Sequence, residues 1–156
     1  MILIMEITIW GDSITYGAGD KEGLGWVGRL RVELESKDED AEVYSRGVCG
    51  DTTEDVLKRF VIEAESIKPN RIIFALGAND CKIPQGETAN KVSLDKCKAN
   101  IIELVNRARQ FTKDIFIIGI TCVDESVLNT GEKFSNEAIK QYNEALKEIC
   151  QNENLI

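Results

Sequence analysis

The sequence predicts an α/β domain in which a parallel sheet carries helices on both faces. Three observations point there. Short β-branched runs alternate with longer segments of helical period, and each switch falls on Gly, Asp, Asn or Pro. The 156 residues fit one domain, 1–156, without internal repeat, low-complexity tract or linker. Parallel strands need crossover connections, and a series of βα units supplies them.

The first run, residues 2–10, is almost continuously apolar, as a strand covered on both faces would be, and it stops at Gly11. A helix follows from about residue 25 to 36, with Val27, Leu30 and Leu34 on one face. Residues 41–45 form a second strand. Thr52 with Asp55 then resembles a capping box for a helix whose apolar stripe is Val56, Leu57, Phe60, Val61, Ala64 and Ile67. Pro69-Asn70 breaks that helix and releases a buried third strand over residues 71–76, closed by Gly77. A long helix over about residues 93–111 presents Cys97, Ile101, Leu104, Val105 and Ala108 at helical spacing. A fourth strand over residues 114–121 and a last helix over about 135–151 complete the pattern.

Composition narrows the function. With 19 basic against 27 acidic residues, a net charge of −8 and a pI near 4.7, the chain repels a phosphate backbone and an anionic membrane face, so no nucleic-acid partner is expected. No stretch approaches the ~20 apolar residues of a transmembrane segment. Residues 1–10 contain Glu6 and lack a basic region, so they do not read as a signal peptide. Cysteines 49, 81, 97, 122 and 150 are odd in number and lack C-x-x-C spacing, so reduced thiols are expected, with no metal and no cofactor. These features together read as cytoplasmic. The sequence contains no histidine, which removes the commonest general base and the commonest metal ligand.

In an open parallel sheet every turn that follows a strand lies on one rim, where ligands bind. Three of those turns carry unusual chemistry: 11–17 (GDSITYG), 45–53 (SRGVCGDTT) and 77–80 (GAND). Each has a plain structural reading, as a helix cap, a glycine turn or an Asx-turn. Together they supply a hydroxyl, a backbone N–H beside glycine and a carboxamide, the parts of an acyl-transfer site. Ser13 is the candidate nucleophile, and its own N–H, that of Gly47 and the Asn79 side chain are candidate oxyanion donors. Cys49 and Cys81 are no better as nucleophiles without a base to form a thiolate.

At these residues the sequence resembles the SGNH or GDSL hydrolases, serine esterases and lipases on a three-layer α/β/α flavodoxin-like fold. Gly11-Asp12-Ser13-Ile14 looks like that family's first block, Gly47 with Gly50-Asp51-Thr52 its second, and Gly77-Ala78-Asn79-Asp80 its third. Asp12 and Asp80, inside the first and third blocks, are candidate binding residues. The residues around Trp26 and Tyr142 also fall where such proteins carry similar patterns. Ser45 departs from the family's asparagine at that place. The resemblance implies cleavage of a small-molecule carboxylic ester (an acyl ester, lysophospholipid, thioester or acetylated sugar) through an acyl-serine intermediate. Loops 16–24 and 82–88 would set the choice.

The family's Asp-x-x-His block, which follows its fifth strand, has no counterpart in these residues. The resemblance therefore implies a domain whose final strand and helix are missing by truncation, or are supplied by another chain. Lys82, Asp124 and Glu125 are the substitute bases within reach of the rim, their plain reading being solvated loop charges. In the family's strand order the fifth strand pairs with the fourth, so the edge of residues 114–121 is expected to self-associate or to be capped by a partner chain. A catalytically silent protein that binds an acyl or sugar ligand on the same rim is the alternative. A nucleotide-binding module is weaker, since the first turn supplies no G-x-G-x-x-G.

Overall fold

The structure, a computed structural model, describes residues 5–38, 40–126 and 133–155. Its elements follow in chain order: β1 (Met5–Gly11), α1 (Ser13–Tyr16), α2 (Gly25–Glu35), β2 (Ala41–Gly47), α3 (Thr53–Ile67), β3 (Arg71–Ala75), α4 (Ala78–Cys81), α5 (Leu94–Ala108), β4 (Ile115–Ile117) and α6 (Asn136–Asn152). Their strands form one parallel sheet of order β2-β1-β3-β4. Residues 2–4 of the expected first strand lie outside the described residues.

The sheet separates two apolar layers because alternate side chains of a strand point to opposite faces. On one side Ile7, Ile9, Val43 and Val27 of α2 pack together, with Leu30 and Leu34 partly buried against them. On the other side Trp10 joins Val56 and Phe60 of α3, Phe74 of β3, and residues of α5 and α6. Trp10 and Phe60 meet edge-on at 4.8 Å between ring centroids, and Phe60 lies 5.5 Å from Phe74. The Trp10 indole N–H finds its partner in Glu63 at 2.7 Å.

The capping box of α3 forms as its sequence implies: the Thr52 side chain caps the N3 backbone, and the Asp55 carboxylate accepts the Thr52 N–H at 3.1 Å. Ser135 caps α6 by accepting the Ala138 N–H at 3.0 Å.

Two expectations about the strands need correction. The second strand runs two residues beyond Ser45, because its partner β1 continues to Gly11 and pairs it with Gly47. The fourth strand is much shorter than the run 114–121. Its partner β3 ends at Ala75 and turns into α4, so the backbone beyond Ile117 keeps one more bond, Ile118 N–H to the Phe74 carbonyl at 2.8 Å. After that, Asn143 of α6 takes over the role of a strand, accepting the Ile120 N–H at 2.7 Å and donating to the Ile120 carbonyl at 2.8 Å.

β4 is the edge of the sheet. No helix among the described residues is long and apolar enough to cross a membrane. Phe60 is fully buried among three aromatic neighbours, so Phe60→Ala is expected to cost about 3–5 kcal/mol, read as a lower urea midpoint.

Candidate active site

The rim turn after β1 is built by absence of side chains. Gly11 and Gly47 face each other at the ends of β1 and β2. A methyl group at Gly47 would lie 2.3 Å from Tyr16 N, 2.7 Å from Thr15 C and 2.8 Å from Asp12 O, all backbone atoms of the Ser13 turn. One at Gly11 would lie 1.9 Å from Thr15 Oγ1. The two bare positions let the turn and α1 rest directly on the strand ends, with the backbone of Asp12, Thr15 and Tyr16 against Gly47 and Ser13 as the first residue of α1. Two hydrogen bonds hold the turn. The Asp12 carboxylate accepts the Ile14 N–H at 2.9 Å, and the Ser45 hydroxyl donates to the Thr15 carbonyl at 3.3 Å. The family's asparagine position is thus filled by a serine that fastens the same turn.

Asn79, on α4, reaches the loop that follows β2. It is 7% exposed, and its Nδ2 donates to the Asp51 carbonyl at 2.9 Å. A carboxamide nitrogen carries two hydrogens, so one remains for a ligand. Asp51 in turn is held by Arg59 at 2.8 Å. Arg59 also donates to the Arg46 carbonyl at 2.9 Å and pairs with Glu63 at 2.7 Å. One guanidinium of α3 therefore ties the end of β2 to the loop that holds Asn79.

The two aspartates have different settings. Asp12 is 2% exposed; burial raises its carboxyl above the usual carboxylate range. Asp80 is wholly buried and turned away from the rim. Its oxygens accept Thr53 Oγ1 at 2.5 Å and the Thr53 N–H at 3.1 and 3.2 Å, while Asn100 donates to Thr53 Oγ1 at 2.8 Å. This knot fixes α4 to the start of α3. Burial again raises the Asp80 carboxyl.

Three loops of the rim are brought together: the Ser13 turn against Gly47, and Asn79 against Asp51. Two of the substitute bases, Asp124 and Glu125, are engaged elsewhere. Asp124 accepts the Ser126 hydroxyl at 2.6 Å, and Glu125 accepts the Asn136 N–H at 2.5 Å, so both serve their own loop. Lys82, the third, is 9% exposed, and its charge acts on the Asp12 carboxyl next to Ser13, against the larger effect of burial. Burial and the Asp80 charge push the Cys81 thiol up to about 11, which leaves it protonated at neutral pH. Sequence reading missed Arg59 and Asn100, whose bonds to the Arg46 carbonyl and to Thr53 span 13 and 47 residues of the chain, and it gave Asn143 no role beyond its place in the stretch after Tyr142. Among the described residues no group of His, Cys, Asp and Glu is placed to hold a metal.

Two outcomes follow from this geometry. Gly47→Ala forces a methyl into backbone that no rotamer change can relieve, and is expected to lower stability by roughly 1–3 kcal/mol in urea titrations. The folded chain binds a proton at Asp80 more tightly than the unfolded chain does, because the folded carboxyl is raised. Its contribution to stability is therefore greatest at low pH and is lost as pH rises from about 4 through the folded value. Asp80→Asn is expected to flatten that part of the curve of urea midpoint against pH.

A family model described as the GDSL-like Lipase/Acylhydrolase family matches residues 9–156. A search of curated proteins found no significant match. Among solved structures, the chain is similar to the lipase/acylhydrolase from Enterococcus faecalis, with 24% identity and a TM-score of 0.78 over 96% of this chain and 73% of that one. It is similar to the psychrotrophic esterase EstA from Pseudoalteromonas sp., with 19% identity and a TM-score of 0.76 over 97% of this chain and 76% of that one. A catalytic mutant of the acetylxylan esterase from Geobacillus stearothermophilus shares 21% identity and a TM-score of 0.77 over 96% of this chain and 73% of that one. At these identities the structural likeness is one of fold, and the family match, spanning the strand ends and all three rim turns, carries the assignment. The chain belongs to the GDSL-like lipase/acylhydrolase family.

Proposed function

We propose that this chain carries the nucleophile and oxyanion half of a serine esterase. Ser13 Oγ attacks the carbonyl carbon of a carboxylic ester, and the Ser13 proton passes to a base. The tetrahedral oxyanion takes hydrogen bonds from the Ser13 N–H, the Gly47 N–H and the free hydrogen of Asn79 Nδ2. Collapse of that intermediate expels the alkoxide, which leaves protonated, and water then releases the acid from the acyl-serine. The observation that supports this reading best is the packing of the turn that carries Ser13 on Gly11 and Gly47, with Asn79 bonded to the loop that follows Gly47.

A serine hydroxyl is almost fully protonated at neutral pH and attacks slowly without a base. The sequence contains no histidine, so the test supplies one in solution. A fluorophosphonate probe is expected to label Ser13 in the folded chain, faster with added imidazole, and not at all in Ser13→Ala. Asn79→Ala is expected to slow the imidazole-assisted labelling by about 100-fold, the scale of one lost oxyanion donor. A folded chain whose Ser13 stays unlabelled with and without imidazole overturns the esterase reading and favours a silent acyl-binding or sugar-binding protein on the same rim.

A further inference from the structure

One cation connects two of the candidate oxyanion donors. The Arg59 Nη2 donates to the Arg46 carbonyl at 2.9 Å and reaches the Gly11 carbonyl at 3.5 Å, the outer limit of a hydrogen bond. Its Nε donates to the Asp51 carboxylate at 2.8 Å, and the Asp51 backbone carbonyl accepts Asn79 Nδ2 at 2.9 Å. The Arg59 side chain is 20% exposed and that of Asp51 13%, so solvent ions screen this pair little.

The Arg46 carbonyl and the Gly47 N–H belong to one peptide unit. That unit is a planar trans amide, so its N–H points away from the carbonyl and from the cation bound there. A positive group on the oxygen draws electron density out of the amide and makes its hydrogen a stronger donor at the other end, more so when the bond is charge-assisted. Glu63 keeps the cation in place. Its Oε2 accepts Arg59 Nη1 at 2.7 Å and also the Trp10 indole N–H at 2.7 Å. Trp10 is wholly buried, so the guanidinium is anchored to the aromatic core.

We propose that Arg59 is a positioning residue of the esterase site: it polarises the Gly47 amide through the Arg46 carbonyl and, through Asp51, fixes the Asn79 carboxamide. The proposal rests on the esterase reading and adds to it a residue that touches no substrate. Negative charge builds on the substrate oxygen only as the acyl carbon becomes tetrahedral. A stronger Gly47 donor therefore acts on the transition state and leaves ester binding unchanged. Charge and geometry both matter in this role. A lysine would keep the charge but lacks the planar fork that serves several acceptors at once.

The test reads two quantities: the rate of Ser13 labelling by a fluorophosphonate probe at fixed imidazole, followed to saturation in the probe, and the amide resonances of Gly47 in solution NMR. Arg59→Met is expected to slow the limiting rate about tenfold, a part of the ~100-fold that a wholly lost donor costs, with the half-saturating probe concentration unchanged. The Gly47 resonances are expected to move upfield in Arg59→Met and to lie between in Arg59→Lys, which recovers part of the rate. Where Arg59→Met fails to fold, Arg59→Gln carries the same expectations with one carbonyl bond kept. Arg107→Met removes a guanidinium–carbonyl bond of the same kind, to Leu57 at 3.0 Å, and is expected to change neither reading. In an Asn79→Ala background Arg59→Met is still expected to slow labelling several-fold, because Gly47 is the donor that remains.

An unmoved Gly47 amide in a folded neutral variant overturns the proposal, as does a folded Arg59→Lys that matches the parent in both readings. A rate loss confined to the half-saturating concentration, or reproduced by Arg107→Met, overturns it as well, since it marks looser packing. The two readings fail separately. Ser13 labelling that ignores Arg59 removes this role and keeps the esterase. A Ser13 that never labels removes the esterase, and the Gly47 amide still decides whether Arg59 polarises that peptide.

Discussion

The close approach of α1 to the ends of β1 and β2 is the constraint on which the site depends. A helix of four residues has too few internal hydrogen bonds to hold itself in place. It is held by the surface on which it lies, and that surface exists because Gly11 and Gly47 present no Cβ to it. The same register pair that ends the β1–β2 ladder therefore sets where the Ser13 backbone sits. Substitution at either glycine acts on the chemistry by displacing the turn that carries Ser13.

Around that contact the polar groups form two knots of different character. Arg59 makes bonds to four partners, Asp51, Glu63 and the Arg46 and Gly11 carbonyls, at a partly exposed position where water shares the cost of desolvation. The knot of Asp80, Thr53 and Asn100 is buried throughout, and its polar atoms are satisfied within the protein. Networks of the second kind favour a single arrangement, since any displacement leaves a polar group buried and unpaired. One knot positions Asp51, and the other positions α4; Asn79 is held between the two.

The fold and the three rim turns were legible in the sequence because their signals are local. Alternation of period, the Thr52–Asp55 box and the glycines beside Ser13 and Asn79 can each be read within a short window. The rest depended on distant partners. The run 114–121 is uniformly apolar, and nothing within it records that β3 stops at Ala75 and leaves its second half without a ladder. Asp80 reads as a rim carboxylate by its place after Asn79, yet the N-terminus of α3 draws it inward through Thr53. Arg59 looks like an ordinary exposed charge four residues before Glu63, and its reach to the Arg46 carbonyl exists only once β2 lies beneath α3.

The side-chain amide of Asn143 has a consequence for how this rim can diversify. The stretch from Gly119 to Thr121 is moored to a helix by one residue instead of being woven into neighbouring backbone. Its length and composition are thereby uncoupled from strand register, so insertions or deletions there reshape that side of the rim while the layered scaffold below keeps its alignment.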